Sequence, residues 1–269
     1  MSEVLSLEHF SISTTGPTLT MSVGSGQSLA VVGPAASGKS TMLRVLAGQE
    51  RVAQGSFKIR GAVAIATPGA LSRRSKVQSI AKNDASSDRA SEALTITRLW
   101  DQRHAAVSEL STSQLAAAEL LELLAGDADL ALIDGQLDLL DPWTLSSVLD
   151  SLKARKSMTF VVATHRPELL ARVDALVVLK DQQVRFAGSP SDLLRHKNRH
   201  ELTLTTENQP GVRAIASPFE VSIKSDGNEM KLSTAEGQEL AARLLLEGYG
   251  DINLVASRPP TIEEALLGL

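Results

Sequence analysis

Ser28-Leu29-Ala30-Val31-Val32-Gly33-Pro34-Ala35-Ala36-Ser37-Gly38-Lys39-Ser40-Thr41 is the stretch that decides the fold. Its first five residues form a short apolar, β-branched run of the kind that becomes a buried parallel strand. Gly33 to Ser40 then fit the pattern G-x-x-x-x-G-K-[ST]. Ser40–Gly48 has helical character and ends on a glycine suited to cap a helix C-terminus. Strand, small-residue loop and helix in this order build an anion site. Small residues let successive backbone N–H groups curl around phosphate oxygens, and the helix aims its N-terminal N–H groups at the same anion. Lys39 would reach the β- and γ-phosphates, and Ser40 would place its hydroxyl on Mg²⁺. A glycine-rich turn before an ordinary helix is the plainer alternative; the length of the motif and its context speak against it.

Further along, Leu130-Ala131-Leu132-Ile133-Asp134 reads as a second buried strand ending in a carboxylate, suited to a Mg²⁺ shell beside the phosphate loop. Strand signals also fall at Val4–Phe10, Leu19–Val23, Thr159–Ala163 and Ala175–Leu179, with helical stretches between the later ones. A middle section from about Thr67 to Glu109 is polar and helix-prone. Strands alternating with helices imply an α/β fold with a mostly parallel sheet covered on both faces. The character changes near Ser189–His200. From Ser191 onward there are 8 basic and 12 acidic residues, against 19 of each before. After a polar helix end at His196–His200, strand-like segments Leu202–Thr206, Glu220–Ser225 and Glu229–Leu232 accompany one helix, Ala235–Glu247. This predicts a small α+β appendage.

Composition excludes several functions. The 269 residues allow one large domain or one plus an appendage. Aromatic residues make up 3% of the chain, which speaks against a surface that stacks bases or sugar rings on aromatic rows. The chain has no cysteine, hence no disulfide framework, thiolate zinc site or Cys nucleophile. A net charge of −4 offers no long-range attraction to nucleic acid. The N-terminal residues lack the pattern of a signal peptide, and the apolar runs fall far short of the roughly 20 residues of a membrane span. The expectation is a cytosolic chain able to sit against a membrane protein.

Five motifs in order give the chain a resemblance, over roughly residues 3 to 190, to the ATP-binding-cassette ATPases, the motor subunits of ABC transporters. Gly33–Thr41 resembles the phosphate loop of that family. Leu110-Ser111-Thr112-Ser113-Gln114 stands where its LSGGQ signature would be. Leu130–Asp134 resembles the Walker B strand, Leu140-Asp141-Pro142 the D-loop, and Val161-Val162-Ala163-Thr164-His165 the switch-histidine strand. The resemblance implies a P-loop NTPase fold: an ABC-type nucleotide-binding domain over 1–190, with a mostly parallel sheet, an antiparallel β portion and a helical subdomain at about 68–125. A small C-terminal accessory domain would occupy 191–269. It further implies ATP and Mg²⁺ held by Gly33, Gly38, Lys39, Ser40 and Thr41, with Ser40 and Asp134 on the metal. Ser111, Gln114 and Asp141 would serve the nucleotide at a dimer interface, and His165 would touch the γ-phosphate. The implied partners are a second ABC-type ATPase subunit and a polytopic permease, which would hold the chain on the inner face of the cell membrane.

The departures matter chemically. The family follows its Walker B Asp with a Glu that polarises the attacking water; here Gly135 stands in that place. Gln136 and Asp138 are nearby but not in the matching position. Thr112 and Ser113 replace two signature glycines, and Ala36 replaces a phosphate-loop glycine. No glutamine lies near Ala66-Thr67-Pro68, where the family has its Q-loop, and Thr14 stands near its adenine-stacking aromatic. These losses predict ATP binding with poor hydrolysis, and therefore a heterodimer with an intact sister subunit. Arg73-Arg74-Ser75-Lys76 reads as a solvated loop in the region where the family meets its membrane partner. Arg258–Leu267 is similar to the terminal P-[ST]-[LI]-E-[DE] segment of the ABC-2 exporters, and also reads as a helix capped by Thr261 and Glu264. His9, His104, His196 and His200 read as ordinary structural residues. Two alternatives stand beside the transporter reading. One is a degenerate nucleotide sensor or scaffold. The other, a P-loop kinase or GTPase, leaves Leu110–Gln114, Leu140–Pro142 and His165 unexplained.

Overall fold

The computed structural model describes residues 2–82, 85–196, 200–247, 252–258, 261–267 and 269. Two compact units divide the chain, Met1–Ser189 and Pro190–Leu269. In the first unit, β1 (Glu3–Ser11) pairs antiparallel with β2 (Leu19–Gly24) on one side and with β4 (Gln54–Ile59) on the other. Between them in sequence comes β3 (Ser28–Val32), which lies inside a six-stranded sheet with β5 (Val63–Ala66), β6 (Leu130–Asp134), β7 (Thr159–Thr164), β8 (Ala175–Lys180) and β9 (Gln183–Gly188). The order is β5-β6-β7-β3-β8-β9, and every neighbouring pair is parallel except β8–β9. All residues of β3, β6 and β7 are buried. That burial explains their mostly apolar interiors, Leu29–Val32, Leu130–Ile133 and Phe160–Ala163: strands covered on both faces need no polar side.

Helix α1 (Lys39–Leu46) follows β3 directly. One core joins its Leu43 and Leu46 to Leu5, Leu7 and Phe10 of β1 and to Leu29, Leu132 and Val161 of the large sheet. Each such leucine, fully buried, contributes about 1.5–3 kcal/mol. Gly48, at φ 72°, ends the helix as anticipated. Between β5 and β6 the chain forms α2 (Val77–Ala81), α3 (Ser87–Ile96), a 3-10 turn at Val107–Glu109, α4 (Thr112–Glu119) and α5 (Leu121–Ala125). Helices α6 (Gln136–Leu139) and α7 (Pro142–Ala154) connect β6 to β7, and α8 (Pro167–Leu170) connects β7 to β8.

The second unit is α+β. Its sheet is antiparallel, ordered β11-β12-β10-β13, from β10 (His200–Thr206), β11 (Val221–Asp226), β12 (Glu229–Thr234) and β13 (Ile252–Arg258). Its helices are α9 (Pro190–His196), α10 (Gln209–Ala216), α11 (Gly237–Glu247) and α12 (Ile262–Leu267). Leu202, Leu204, Met230 and Leu232 alternate along β10 and β12 and pack against Val212 and Ala216 of α10 and Leu240 and Leu244 of α11.

Several expectations need correction. The unit carries more than one helix: α10 was missed although Asn208 caps it by accepting from the Gly211 N–H at 2.9 Å, and Pro210 sits in its first turn. Asparagine followed by proline is a helix-start signal that Pro-Gly as a turn signal obscured. Strands β4, β5, β9 and β13 were also missed. All four lie at sheet edges, where one side of the strand lacks a partner and the burial pattern weakens. The β8–β9 connection is a tight hairpin, its Asp181 and Gln182 both at positive φ without a glycine to announce it. Residues 197–199 of the expected polar helix end, and Pro259 and Pro260 of the terminal segment, lie outside the described residues.

Candidate functional site

The loop from Gly33 to Gly38 leaves the buried end of β3 and turns into α1. Two glycines are required there. A Cβ at Gly33 (φ 157°) would collide with the Leu179 carbonyl, and one at Gly38 (φ 100°) with the Ile12 side chain. Ala36, at φ 61°, adopts the left-handed conformation that a glycine would take without strain. Lys39 donates from Nζ to the carbonyl oxygens of Gly33 and Pro34, both at 2.8 Å. Burial pushes the Lys39 ammonium below its ordinary value, opposed by the negative charges of Asp138 and Asp134. Ser40 donates its hydroxyl to Asp134 Oδ1 at 2.8 Å, so α1 and the end of β6 converge there. Thr41 lies in the first turn of α1 and accepts from Arg44 at 3.4 Å.

These residues suit an anionic, metal-bearing ligand on three grounds. Gly33 and Gly38, both at positive φ, hold the loop in a turn whose close packing leaves no room for a Cβ, so its backbone can curl around an anion. A carboxylate and a hydroxyl form a hard oxygen pair. The buried Ser37 hydroxyl in the same loop is without a hydrogen-bond partner in the structure.

The chain after β6 carries the second part of the site. Gly135, at φ 88°, caps α6, and no atom lies within 4 Å of where its Cβ would stand. Asp138, with 4% of its side chain exposed, accepts from the Thr164 hydroxyl through Oδ1. Its Oδ2 accepts from the His165 N–H at 3.2 Å and pairs with His165 Nδ1 at 2.9 Å. His165 itself is 72% exposed. Gln136 is buried; its Nε2 donates to Glu119 at 3.3 Å, and Glu119 also accepts from the Gly69 N–H at 2.6 Å.

The signature segment forms another cluster. Ser111 caps α4 by accepting from the Gln114 N–H at 3.3 Å, while Gln114 Oε1 accepts from the Ser111 N–H at 3.0 Å. These two therefore form a reciprocal capping box. Ser113, one of the two residues standing for glycine, accepts from the Asp141 N–H at 3.2 Å and so ties the signature helix to the D-loop. Asp141 in turn caps α7, accepting from the N–H groups of Trp143 and Thr144. Its burial opposes ionisation, but the Thr144 side chain, those two N–H groups and the charge of Arg98 outweigh it and hold the carboxyl below its usual value.

The structure thus brings Gly33, Gly38, Lys39, Ser40 and Asp134 together, with Asp138 linking His165 to them, and gathers Ser111, Gln114 and Asp141 separately. Sequence reading did not assign Asp138 to His165, nor Glu119 to Gln136. The first pairing follows from the parallel register that sets Asp134 opposite Ala163, which no local motif encodes. The second carries no sequence signal of its own.

Comparison with known proteins bears on the family and the fold. Residues 17–137 match the family model described as "ABC transporter". The chain is 32% identical over 180 residues to an aliphatic sulfonates import ATP-binding protein of Mycobacterium sp. (strain MCS), covering 62% of this chain and 74% of that one. It is 28% identical to a phosphonates import ATP-binding protein of Haloquadratum walsbyi, covering 61% of this chain and 69% of the relative. With an Fe(3+) ions import ATP-binding protein of Brucella abortus the identity is 27%, covering 66% of this chain and 57% of the relative. Among solved structures, a bacterial Atm1-family ABC exporter with ATP bound matches in fold, with a TM-score of 0.65 and 21% identity, over 72% of this chain and 40% of that one.

Proposed function

The chain belongs to the ABC transporter ATP-binding family, and from that premise we propose that it is an ATP-binding subunit whose own site binds ATP·Mg but turns it over slowly. The residues support this residue by residue. Lys39 meets the β- and γ-phosphates, the 33–38 loop cradles them with backbone N–H groups, and Ser40 and Asp134 hold Mg²⁺. The metal, when bound, neutralises charge on the phosphate oxygens. His165 faces the γ-phosphate. Ser111, Gln114 and Asp141 serve the nucleotide of a second ATPase subunit, and the pair drives a polytopic permease, with the chain peripheral on the inner face of the membrane. Among the described residues no helix is long and apolar enough to cross a membrane.

The observation that carries the slow-site reading is Gly135. No side chain stands where the family has its water-polarising Glu, and loss of a positioned base costs about 10²–10⁴-fold in rate. A heterodimer with an intact sister follows from it. The named relatives are import proteins, whereas the similarity of Arg258–Leu267 to the terminal segment of the ABC-2 exporters supports the export class. The purified full chain should bind ATP·Mg and hydrolyse it slowly; brisk turnover abolished by Lys39→Ala would overturn the reading. The same lost base favours a second reading, a non-transport nucleotide sensor. Copurification separates the two, because a transport subunit brings down a polytopic membrane protein, whose class also gives the direction, and a sensor brings down soluble partners.

A further inference from the structure

Asp138 is the carboxylate nearest the exposed histidine, and it is held on all sides by donors from the end of β7. Thr164 gives its hydroxyl to Oδ1, while the His165 backbone N–H at 3.2 Å and ring Nδ1 at 2.9 Å meet Oδ2. A carboxylate saturated in this way is not free to draw a proton from water. It can, however, dictate where the imidazole carries its own. A ring nitrogen 2.9 Å from a carboxylate oxygen has to be an N–H, since a lone pair there would face a negative charge. A neutral ring has one N–H, so the other nitrogen, Nε2, is left as an acceptor.

We propose that Asp138 is a positioning residue that fixes the His165 proton on Nδ1 and presents Nε2 as an acceptor for a water beside the terminal phosphate. This rests on the reading of His165 as phosphate-facing. It deepens that reading by assigning the water-holding task, for which position 135 has no side chain, to the end of β7. The same carboxylate acts electrostatically on Lys39, so one buried charge serves both the phosphate-binding lysine and the histidine. An Asp–His pair in which the acid sets the tautomer and orientation of the ring is established chemistry for activating a hydroxyl, and nothing in it requires the acid to move a proton.

The test is the tautomer, read in the full chain with ¹⁵N-labelled histidine by long-range proton–nitrogen correlation at a pH where the ring is neutral. His165→Gln identifies the signals. The expected result is a His165 proton on Nδ1 in the unaltered chain, and a return to the Nε2–H form, which an unconstrained imidazole prefers, in Asp138→Ala. A proton on Nε2 in the unaltered chain overturns the proposal, as does an unchanged Nδ1–H in a folded Asp138→Ala. Should that variant fail to fold, the unaltered chain still decides. Thr164→Val, which removes a donor from Asp138 but leaves the Asp138–His165 pair, is expected to keep Nδ1–H. Adding ATP·Mg should then shift the ring resonances. Binding of ATP·Mg that leaves them unmoved overturns the water-acceptor role together with the phosphate-facing reading, while the tautomer result bears on Asp138 alone.

Discussion

Ser40 gives its hydroxyl to the Asp134 carboxylate across 2.8 Å, and this one hydrogen bond joins the start of α1 to the end of β6. It places two oxygen donors side by side at the mouth of the phosphate loop, so the pair should act as a unit toward a divalent cation. Ser40→Ala and Asp134→Asn are each expected to weaken the Mg²⁺-dependent part of ATP affinity, and the double variant to lose little more than either single one. Lys39→Ala should weaken ATP binding by about 10–150-fold, the range for a charge-assisted hydrogen bond of about 1.5–3 kcal/mol. Isothermal titration with and without Mg²⁺ checks all four variants.

Position 135 makes a separable prediction about rate and strain. The space around its missing Cβ is open, but φ 88° is unfavourable for any L side chain. Gly135→Ala should lower stability by about 1–2 kcal/mol and leave turnover unchanged. Gly135→Glu should cost a similar amount of stability yet raise ATP turnover at least about tenfold, because it restores a carboxylate where water attacks. Thermal melting and phosphate release, measured on the same samples, distinguish strain from chemistry.

The signature helix and D-loop are joined through Ser113, which accepts from the Asp141 N–H. Ser113→Gly should cost about 0.5–1.5 kcal/mol for the lost hydrogen bond and speed hydrogen exchange at the Asp141 amide. Ser111→Ala removes the helix cap and should cost about 1 kcal/mol. Exchange rates that do not change in Ser113→Gly would show that the D-loop is held by other contacts.

The second unit should respond to acid. The Arg258 guanidinium, aided by the Thr261 N–H, holds the Glu264 carboxyl down at about 2 against an ordinary value of 4.5. Because the folded value is the lower one, the contribution of Glu264 is fully present above about pH 4.5 and disappears as pH falls toward 2. Solvent screening keeps it small at this partly exposed site. A carbon-detected titration of Glu264 should give a midpoint of about 2 in the unaltered chain and a higher one in Arg258→Ala, where the Thr261 donors alone remain. Glu264→Gln should remove that part of the acid dependence.

Legibility of the sequence followed how locally each feature is encoded. Gly33–Ser40 announces itself because its chemistry is carried by contiguous backbone, and the central strands announce themselves because burial on both faces enforces unbroken apolar runs. Edge strands such as β4 and β13 were illegible because half of their surroundings is solvent. Helix α10 was legible in principle, through Asn208 and Pro210, but competed with a turn signal at Pro210-Gly211.

What the sequence determined by itself was the anion-binding loop, the α/β class and the missing carboxylate at Gly135, each a matter of residue identity within one short stretch. The tertiary structure decided what the remaining polar groups do. Asp138 belongs to His165 because β6 and β7 run parallel with Asp134 beside Ala163, and Ser113 belongs to Asp141 because α4 starts against the turn into α7. Such partnerships depend on strand register and on how helices and loops pack. These are set by burying the whole core at once, so no single segment of the chain contains them.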